Sequence, residues 1–126
     1  MNLASLSFLP LIPFLWFTVD TGPVFDAYDP LISIKQENER LDNYAIQIKN
    51  YVGSRGLIAV YAEDEKSAAS VKARARRAAK YLVKTRGVNP VRIMWRYEAA
   101  CKRNLILLYL LDPDRTDPER DTKCMR

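Results

Sequence analysis

The sequence contains no histidine and only four glycines among its 126 residues. Histidine is the commonest general base and the commonest metal ligand, so its absence removes the usual centre of both kinds of site. The chain also has no Gly-x-Ser-x-Gly motif and no glycine-rich phosphate-binding loop. The three consecutive acids Glu63, Asp64 and Glu65 favour the start of a helix. Glycosidase chemistry needs a second acid that converges on the first from elsewhere in the chain, and the sequence indicates none. The sequence therefore predicts a protein without catalytic activity, metal or cofactor.

Cysteine is also scarce, because Cys101 and Cys124 are the only two. They lie far apart in the chain and form no Cys-x-x-Cys pair, so they do not indicate a thiolate metal site. In an oxidising compartment they could form a disulfide that ties the end of the chain to the domain. Two reduced thiols are the alternative.

Charge is missing from residues 3–19, LASLSFLPLIPFLWFTV. An apolar stretch of this kind is typical of a signal peptide, although no Lys or Arg precedes it and no Ala-x-Ala motif follows. Pro10 and Pro13 make it a poor membrane-spanning helix. We predict that residues 1–22 are a signal peptide or a hydrophobic envelope anchor, and that the protein is located in the periplasm or cell envelope. The alternative is a buried hydrophobic arm of the domain.

Positive charge is concentrated in one part of the chain. Between Lys66 and Arg103 there are twelve Lys or Arg residues and one acid, Glu98, whereas residues 112–121 hold five acids and two arginines. Such asymmetry indicates an anionic partner, or two surfaces that attract one another. We expect residues 112–126, which have no apolar face, to form a charged tail without regular structure.

Apolar runs and helical periodicity predict an α/β (α+β) two-layer sandwich, with two helices packed on a mixed sheet in the order β-α-β-α-β-β. In chain order the elements are a strand at 24–28, a helix between Ser33 and Gly53, a strand at 57–62, a helix between Glu65 and Gly87, and strands at 91–97 and 104–111. The first strand is expected at an edge of the sheet, and the third element at its centre. The last two strands are expected to form a hairpin around residues 98–103.

Both predicted helices are amphipathic. The apolar face of the first consists of Ile34, Leu41, Ala45, Ile48 and Val52, with Tyr44 at its edge. The apolar face of the second consists of Ala68, Val71, Ala75, Ala78, Ala79 and Leu82. The opposite side of the second helix carries a basic stripe, formed by Lys72, Arg76, Arg77, Lys80 and Lys84. Arg74 stands apart from the stripe, at the border of the apolar face, as a side chain aimed into a cleft would.

The segment RARRAAKYLVKTRGVNPVRI, residues 74–93, resembles the signature helix of OmpA-like domains, the peptidoglycan-associated module of bacterial envelopes. The matching residues are Arg74-Ala75, Tyr81-Leu82-Val83, Gly87-Val88, Pro90 and Arg92-Ile93. The resemblance spans roughly Ile34 to Leu111 and implies that residues 23–111 form an OmpA-like domain.

The resemblance also implies a ligand site. In OmpA-like domains the helix Arg and an acid after the central strand hold the diaminopimelate of peptidoglycan. The matching residues here are Arg74 and Glu63, with Asp64 as a neighbour, and an Arg fork suits a carboxylate. Tyr61-Ala62-Glu63 replaces the family's His-Thr-Asp pattern, so the pocket geometry would differ.

We therefore predict a non-catalytic extracytoplasmic OmpA-like domain that acts as a structural or partner-binding subunit of the bacterial cell envelope. The expected partner is an envelope protein or larger complex, and peptidoglycan or anionic lipid is the alternative. A second alternative is binding of nucleic acid or another polyanion through the basic helix, with stacking on Trp95 and Tyr97. We rank nucleic acid last, because most charged helix faces are simply solvated.

Overall fold

The structure is a computed structural model that describes residues 24–114. The predicted signal peptide or anchor at 1–22, and residues 115–126 of the predicted tail, lie outside the described residues. Within residues 24–114 the fold is α+β, with two α-helices packed on a four-stranded mixed sheet. The elements are β1 (Val24–Tyr28), α1 (Ile34–Asn50), β2 (Arg55–Ala62), α2 (Ala68–Lys80), β3 (Ile93–Ala100) and β4 (Leu105–Leu111). The predicted fold class and element order are confirmed.

The strands lie in the order β1-β4-β2-β3. β2 pairs parallel with β3 and antiparallel with β4, which in turn pairs antiparallel with β1. β2 is therefore an inner strand and β1 an edge strand, as predicted. The predicted hairpin of the last two strands is wrong, because β2 lies between β3 and β4. The physical reason is burial: β4 is almost entirely buried and needs two neighbours, whereas β3 is half-buried and lies at an edge.

Helix α1 begins with a capping box at Ser33, the residue that bounds the predicted helix. The Ser33 hydroxyl accepts from the backbone N–H of Gln36 at 3.1 Å, and the Gln36 side chain accepts from the Ser33 N–H at 3.2 Å. Gly53 follows the helix with φ +82°, which is the left-handed conformation that glycine favours. Ile34 and Val52 do not belong to the buried face, since they are 46% and 84% exposed.

The helices bury their apolar faces against one side of the sheet. In α2 the small residues Ala75 and Ala78 are fully buried, so the helix backbone lies close to the strands. Tyr44 of α1, predicted at the edge of the apolar face, is fully buried at its centre. This cluster includes Leu41, Tyr44, Ala45, Ile48, Ile58, Val60, Ala75, Ala78, Leu82, Ile106 and Leu108.

The opposite side of the sheet carries a second apolar cluster that consists of strand residues and Cys101. Its fully or nearly fully buried members are Leu57, Ala59, Tyr61, Cys101, Leu105, Leu107, Tyr109 and Leu111.

After Lys80, helix α2 continues as one π-helical turn, Tyr81–Thr85, instead of as the α-helix that the sequence predicted. The Arg86 N–H donates to the Tyr81 carbonyl at 3.1 Å, which is the i→i+5 bond of a π-helix. Gly87 then ends the helical segment with φ +74°.

Gly56 is required where α1 crosses the sheet. A Cβ at this position would lie 2.6 Å from the Tyr44 hydroxyl oxygen and 2.9 Å from Ile48 Cδ1. The same hydroxyl donates to the backbone carbonyl of Tyr109 in β4, so Tyr44 cannot move away without losing a buried hydrogen bond.

We expect Gly56→Ala to lower the free energy of unfolding by about 2 kcal/mol, because the added methyl overpacks the contact with Tyr44. In a Tyr44→Phe background, which removes the closest atom, the same substitution should cost less. Urea unfolding of the four proteins measures both costs. An equal cost of Gly56→Ala in the two backgrounds would contradict the proposed clash.

Candidate functional site

The Arg74 side chain, predicted to hold a ligand, is bonded inside the domain. Its Nε donates to Glu37 Oε1 at 2.7 Å, its Nη1 to the carbonyl oxygen of Pro30, and its Nη2 to the carbonyl oxygen of Ile32 at 2.7 Å. Only 19% of the side chain is exposed. All three guanidinium nitrogens of Arg74 thus have partners in the loop that leads into α1 or in α1 itself.

Glu37 is the acid at the centre of this arrangement and is fully buried. Its Oε1 accepts from Arg74 and, at 2.6 Å, from Arg77 Nη1, while its Oε2 accepts from the Tyr28 hydroxyl at 2.5 Å. Arg77 Nη2 also donates to the side-chain oxygen of Asn38. A buried carboxylate is tolerated only when it is paired and hydrogen-bonded, and here two cations and a phenol provide that compensation. We call Tyr28, Glu37, Arg74 and Arg77 the Glu37 cluster.

Glu37 lies in the first turn of α1, where an acid also suits the positive end of the helix dipole. A signal for its burial was nevertheless present, because Glu37 precedes Leu41, Tyr44 and Ile48 at helical spacing. All four positions face the core in the structure. An acid on an apolar stripe predicts a buried partner, although it does not identify that partner.

Glu63 and Asp64, the predicted acidic partners of the ligand, lie in the loop after β2 and are exposed. The Glu63 N–H donates to the Asn104 side chain at 2.6 Å, and its carbonyl accepts from the Lys102 N–H at 2.9 Å. The Asp64 carboxylate caps the short 3-10 helix that follows by accepting from the Ser67 N–H at 2.9 Å. Among the described residues, neither acid forms an ion pair with the predicted arginine, so the structure does not assemble the predicted carboxylate clamp.

The predicted basic stripe divides in two. Arg77 belongs to the Glu37 cluster and is not part of a solvated stripe. The other four cations follow one another at intervals of four residues along α2 and the π-helical turn, and we call them the basic row: Lys72, Arg76, Lys80 and Lys84.

The first half of the basic row covers the aromatic side chains of β3. The Lys72 ammonium lies 4.7 Å from the centre of the Tyr97 ring, and the Arg76 guanidinium 5.7 Å from the Trp95 ring. Trp95 and Tyr97 therefore lie beneath cations of the same chain.

Two other arginines of the basic region, Arg92 and Arg96, are also engaged within the domain. Arg92 Nε donates to the Ser54 carbonyl at 2.7 Å, and its Nη2 donates to the Tyr51 carbonyl at 2.9 Å and to the Ile48 carbonyl, so that Arg92 caps the end of α1. Arg96 pairs with Glu98 at 2.7 Å. Much of the local excess of positive charge therefore serves the fold.

Other candidate sites are few in the described part of the chain. A cavity of about 360 Å³ beside α1 is lined by Ile32, Gln36, Glu39, Arg40 and Asn43. No helix within residues 24–114 combines the length and the apolar character needed to cross a membrane. Cys101 follows β3 directly and is buried in the second apolar cluster, and because Cys124 lies outside the described residues, the disulfide stays a prediction.

We expect Arg74→Ala to lower the free energy of unfolding by about 3 kcal/mol, because it leaves the buried Glu37 carboxylate with one cation. The matched control is Lys80→Ala, which removes an exposed cation from the same helix and should change stability by less than about 0.5 kcal/mol. Urea unfolding measures both. Equal, small effects would show that the Glu37 cluster does not support the fold.

Alkaline pH should also destabilise the domain. Burial, and next the charge of Glu37, raise the pKa of Tyr28, and burial likewise raises the pKa of Tyr44. Tyrosine in the unfolded chain ionises near pH 10, whereas the folded domain keeps these two phenols neutral. Below pH 10 both states are neutral, so the free energy of unfolding keeps its full value. Above pH 10 the unfolded chain loses these protons and the folded domain does not, so the free energy of unfolding falls by about 1.4 kcal/mol per pH unit for each such tyrosine. Urea unfolding between pH 8 and pH 11.5 should show this loss, with a shallower slope for Tyr28→Phe; identical slopes would contradict it.

No protein-family model matches the chain, and no curated protein matches it either. The OmpA-like assignment therefore stays a prediction that depends on residues 74–93.

Proposed function

We propose that this chain is a non-catalytic, partner-binding domain whose contact surface is the basic row of α2. The observation that carries the proposal is the division of the cations: Arg74 and Arg77 are bonded to Glu37, whereas in the basic row Arg76, Lys80 and Lys84 are exposed and Lys72 is half-buried. Among the described residues, no acidic side chain lies within salt-bridge distance of any member of the row.

The spacing of the basic row is unfavourable for the isolated helix. Like charges four residues apart on a helix repel each other by about 0.2–0.5 kcal/mol per pair, and the row contains three such pairs in succession. An anionic surface that lies against the row reduces this repulsion. Complementary charge of this sort speeds association and orients the partner.

Two contacts favour an acidic protein surface over nucleic acid. The rings of Trp95 and Tyr97, which would have to stack on bases, lie beneath Arg76 and Lys72. The row itself offers charge without a stacking platform. The resemblance to OmpA-like domains suggests an envelope protein as the partner, and that compartment stays a prediction.

Peptidoglycan binding through Arg74 and Glu63 is less well supported. To take up a diaminopimelate carboxylate, Arg74 would have to release Glu37 and two backbone carbonyls in a part of the domain that excludes most solvent. Breaking one side of a buried charge pair costs several kcal/mol, which a weak surface ligand does not return.

The proposal is tested by covalent proximity labelling in the cells that produce the protein. Three full-length proteins are compared: the wild type, Lys80→Glu with Lys84→Glu, and Lys35→Glu with Lys49→Glu. The second pair changes net charge equally but lies on α1, where both lysines are exposed. We expect the row variant to lose a neighbour that the wild type and the α1 control retain. The same neighbours for all three folded proteins would overturn the proposal.

Two further probes separate the alternatives. In a pull-down on purified peptidoglycan, binding of the wild type but not of Glu63→Gln would favour the carboxylate clamp instead. Glu63 is exposed, so this substitution leaves the core unchanged. A salt-dependent shift of double-stranded DNA that is lost in the row variant would favour nucleic acid. We expect neither result.

A further inference from the structure

The side of the sheet away from α1 and α2 is buried, although no described helix contributes to its cluster. Seven strand residues on this side are between 0% and 8% exposed. They are Leu57, Ala59 and Tyr61 of β2, and Leu105, Leu107, Tyr109 and Leu111 of β4. We call them the second face. The residues between them, such as Ile58, Val60, Ile106 and Leu108, point the other way and pack under the helices.

Burial of this degree requires a cover. A sheet with one face open to water carries polar residues on that face, and large side chains there remain partly exposed. The second face is apolar, and its side chains are almost inaccessible to water. The two segments of this chain that could supply the cover are the residues before Val24 and the residues after Asp114.

Composition decides between the two ends. Residues 115–126 contain seven charged side chains, which cannot be placed against leucines without partners. Residues 3–19 contain no charge, and most of them are large apolar residues. Burying such a run contributes about 25 cal/mol for each Å² of apolar surface removed from water.

The length of residues 3–19 matches that of the second face, and the chain connects the two. A seven-residue strand such as β4 is about 24 Å long, and a seventeen-residue segment spans about 26 Å even when it is helical. The chain enters β1 at Val24, which pairs with Tyr109 of β4. Residue 19 is five residues before Val24 and can therefore be at most about 18 Å from it, which leaves the Tyr109 end of the second face within reach.

We infer that residues 3–19 pack on the second face and form a third layer of the folded domain. The inference favours the buried hydrophobic arm over the signal peptide or envelope anchor, which stays the alternative prediction for residues 1–22. Pro10 and Pro13, which disfavour a membrane-spanning helix, are compatible with such an arm. The inference does not depend on the proposed function, because the basic row lies on the opposite side of the sheet.

Trp16 provides the test, because the chain has only two tryptophans, Trp16 and Trp95. The full-length Trp95→Phe protein reports on Trp16 alone. We expect a monomer whose Trp16 emission is blue-shifted and whose acrylamide quenching is several-fold weaker than in urea. A folded monomer in which Trp16 is quenched as strongly as in urea would overturn the inference. Protection of Trp16 only in a dimer would overturn it too, since the cover would then be a second copy.

A second measurement leaves both tryptophans intact. A protease site inserted after Gly22 allows the folded full-length protein to be cut, and gel filtration then shows whether fragment 1–22 stays bound. We expect it to co-elute with the domain and to dissociate several-fold faster from Leu107→Ala, but not from the exposed helix control Ile46→Ala. Immediate loss of the fragment from the wild-type domain would contradict the packing.

Discussion

The fully buried carboxylate of Glu37 links three elements of the described domain. It accepts hydrogen bonds from Arg74 and Arg77 of α2 and from the Tyr28 hydroxyl at the end of β1. One side chain of α1 is thereby tied to the other helix and to the edge of the sheet. Because a charge without a partner is far more costly inside a protein than in water, Glu37 requires these three elements to keep their relative positions.

This constraint determines what remains for function. The arginine that the OmpA-like resemblance assigns to a ligand carboxylate already binds a carboxylate of its own chain. Arg77 shares that carboxylate, and Arg92 caps the carboxyl end of α1. The cations of the basic helix therefore form two groups. Arg74 and Arg77 bind Glu37 and belong to the fold, whereas the basic row lies at the surface and can contact an anionic partner.

Features with a local cause could be predicted from the sequence. The cap at Ser33, the left-handed Gly53 and Gly87, and the two-layer α+β class follow from short patterns of residue type. The insertion of β4 between β1 and β2 could not be predicted, because strand order depends on pairings distant in the chain. The role of Arg74 was missed for a related reason: its border position on the helix was visible, but its partner lies 37 residues away.

A double-mutant cycle between Glu37→Gln and Arg74→Gln, followed by urea unfolding, tests the central claim most directly. If Arg74 acts as the structural partner of Glu37, the two substitutions should couple by about 2 kcal/mol. The control cycle of Glu63→Gln with Arg74→Gln should be additive within about 0.5 kcal/mol. Additivity of the Glu37 cycle, or stronger coupling to Glu63, would contradict the account and return Arg74 to a ligand-binding role.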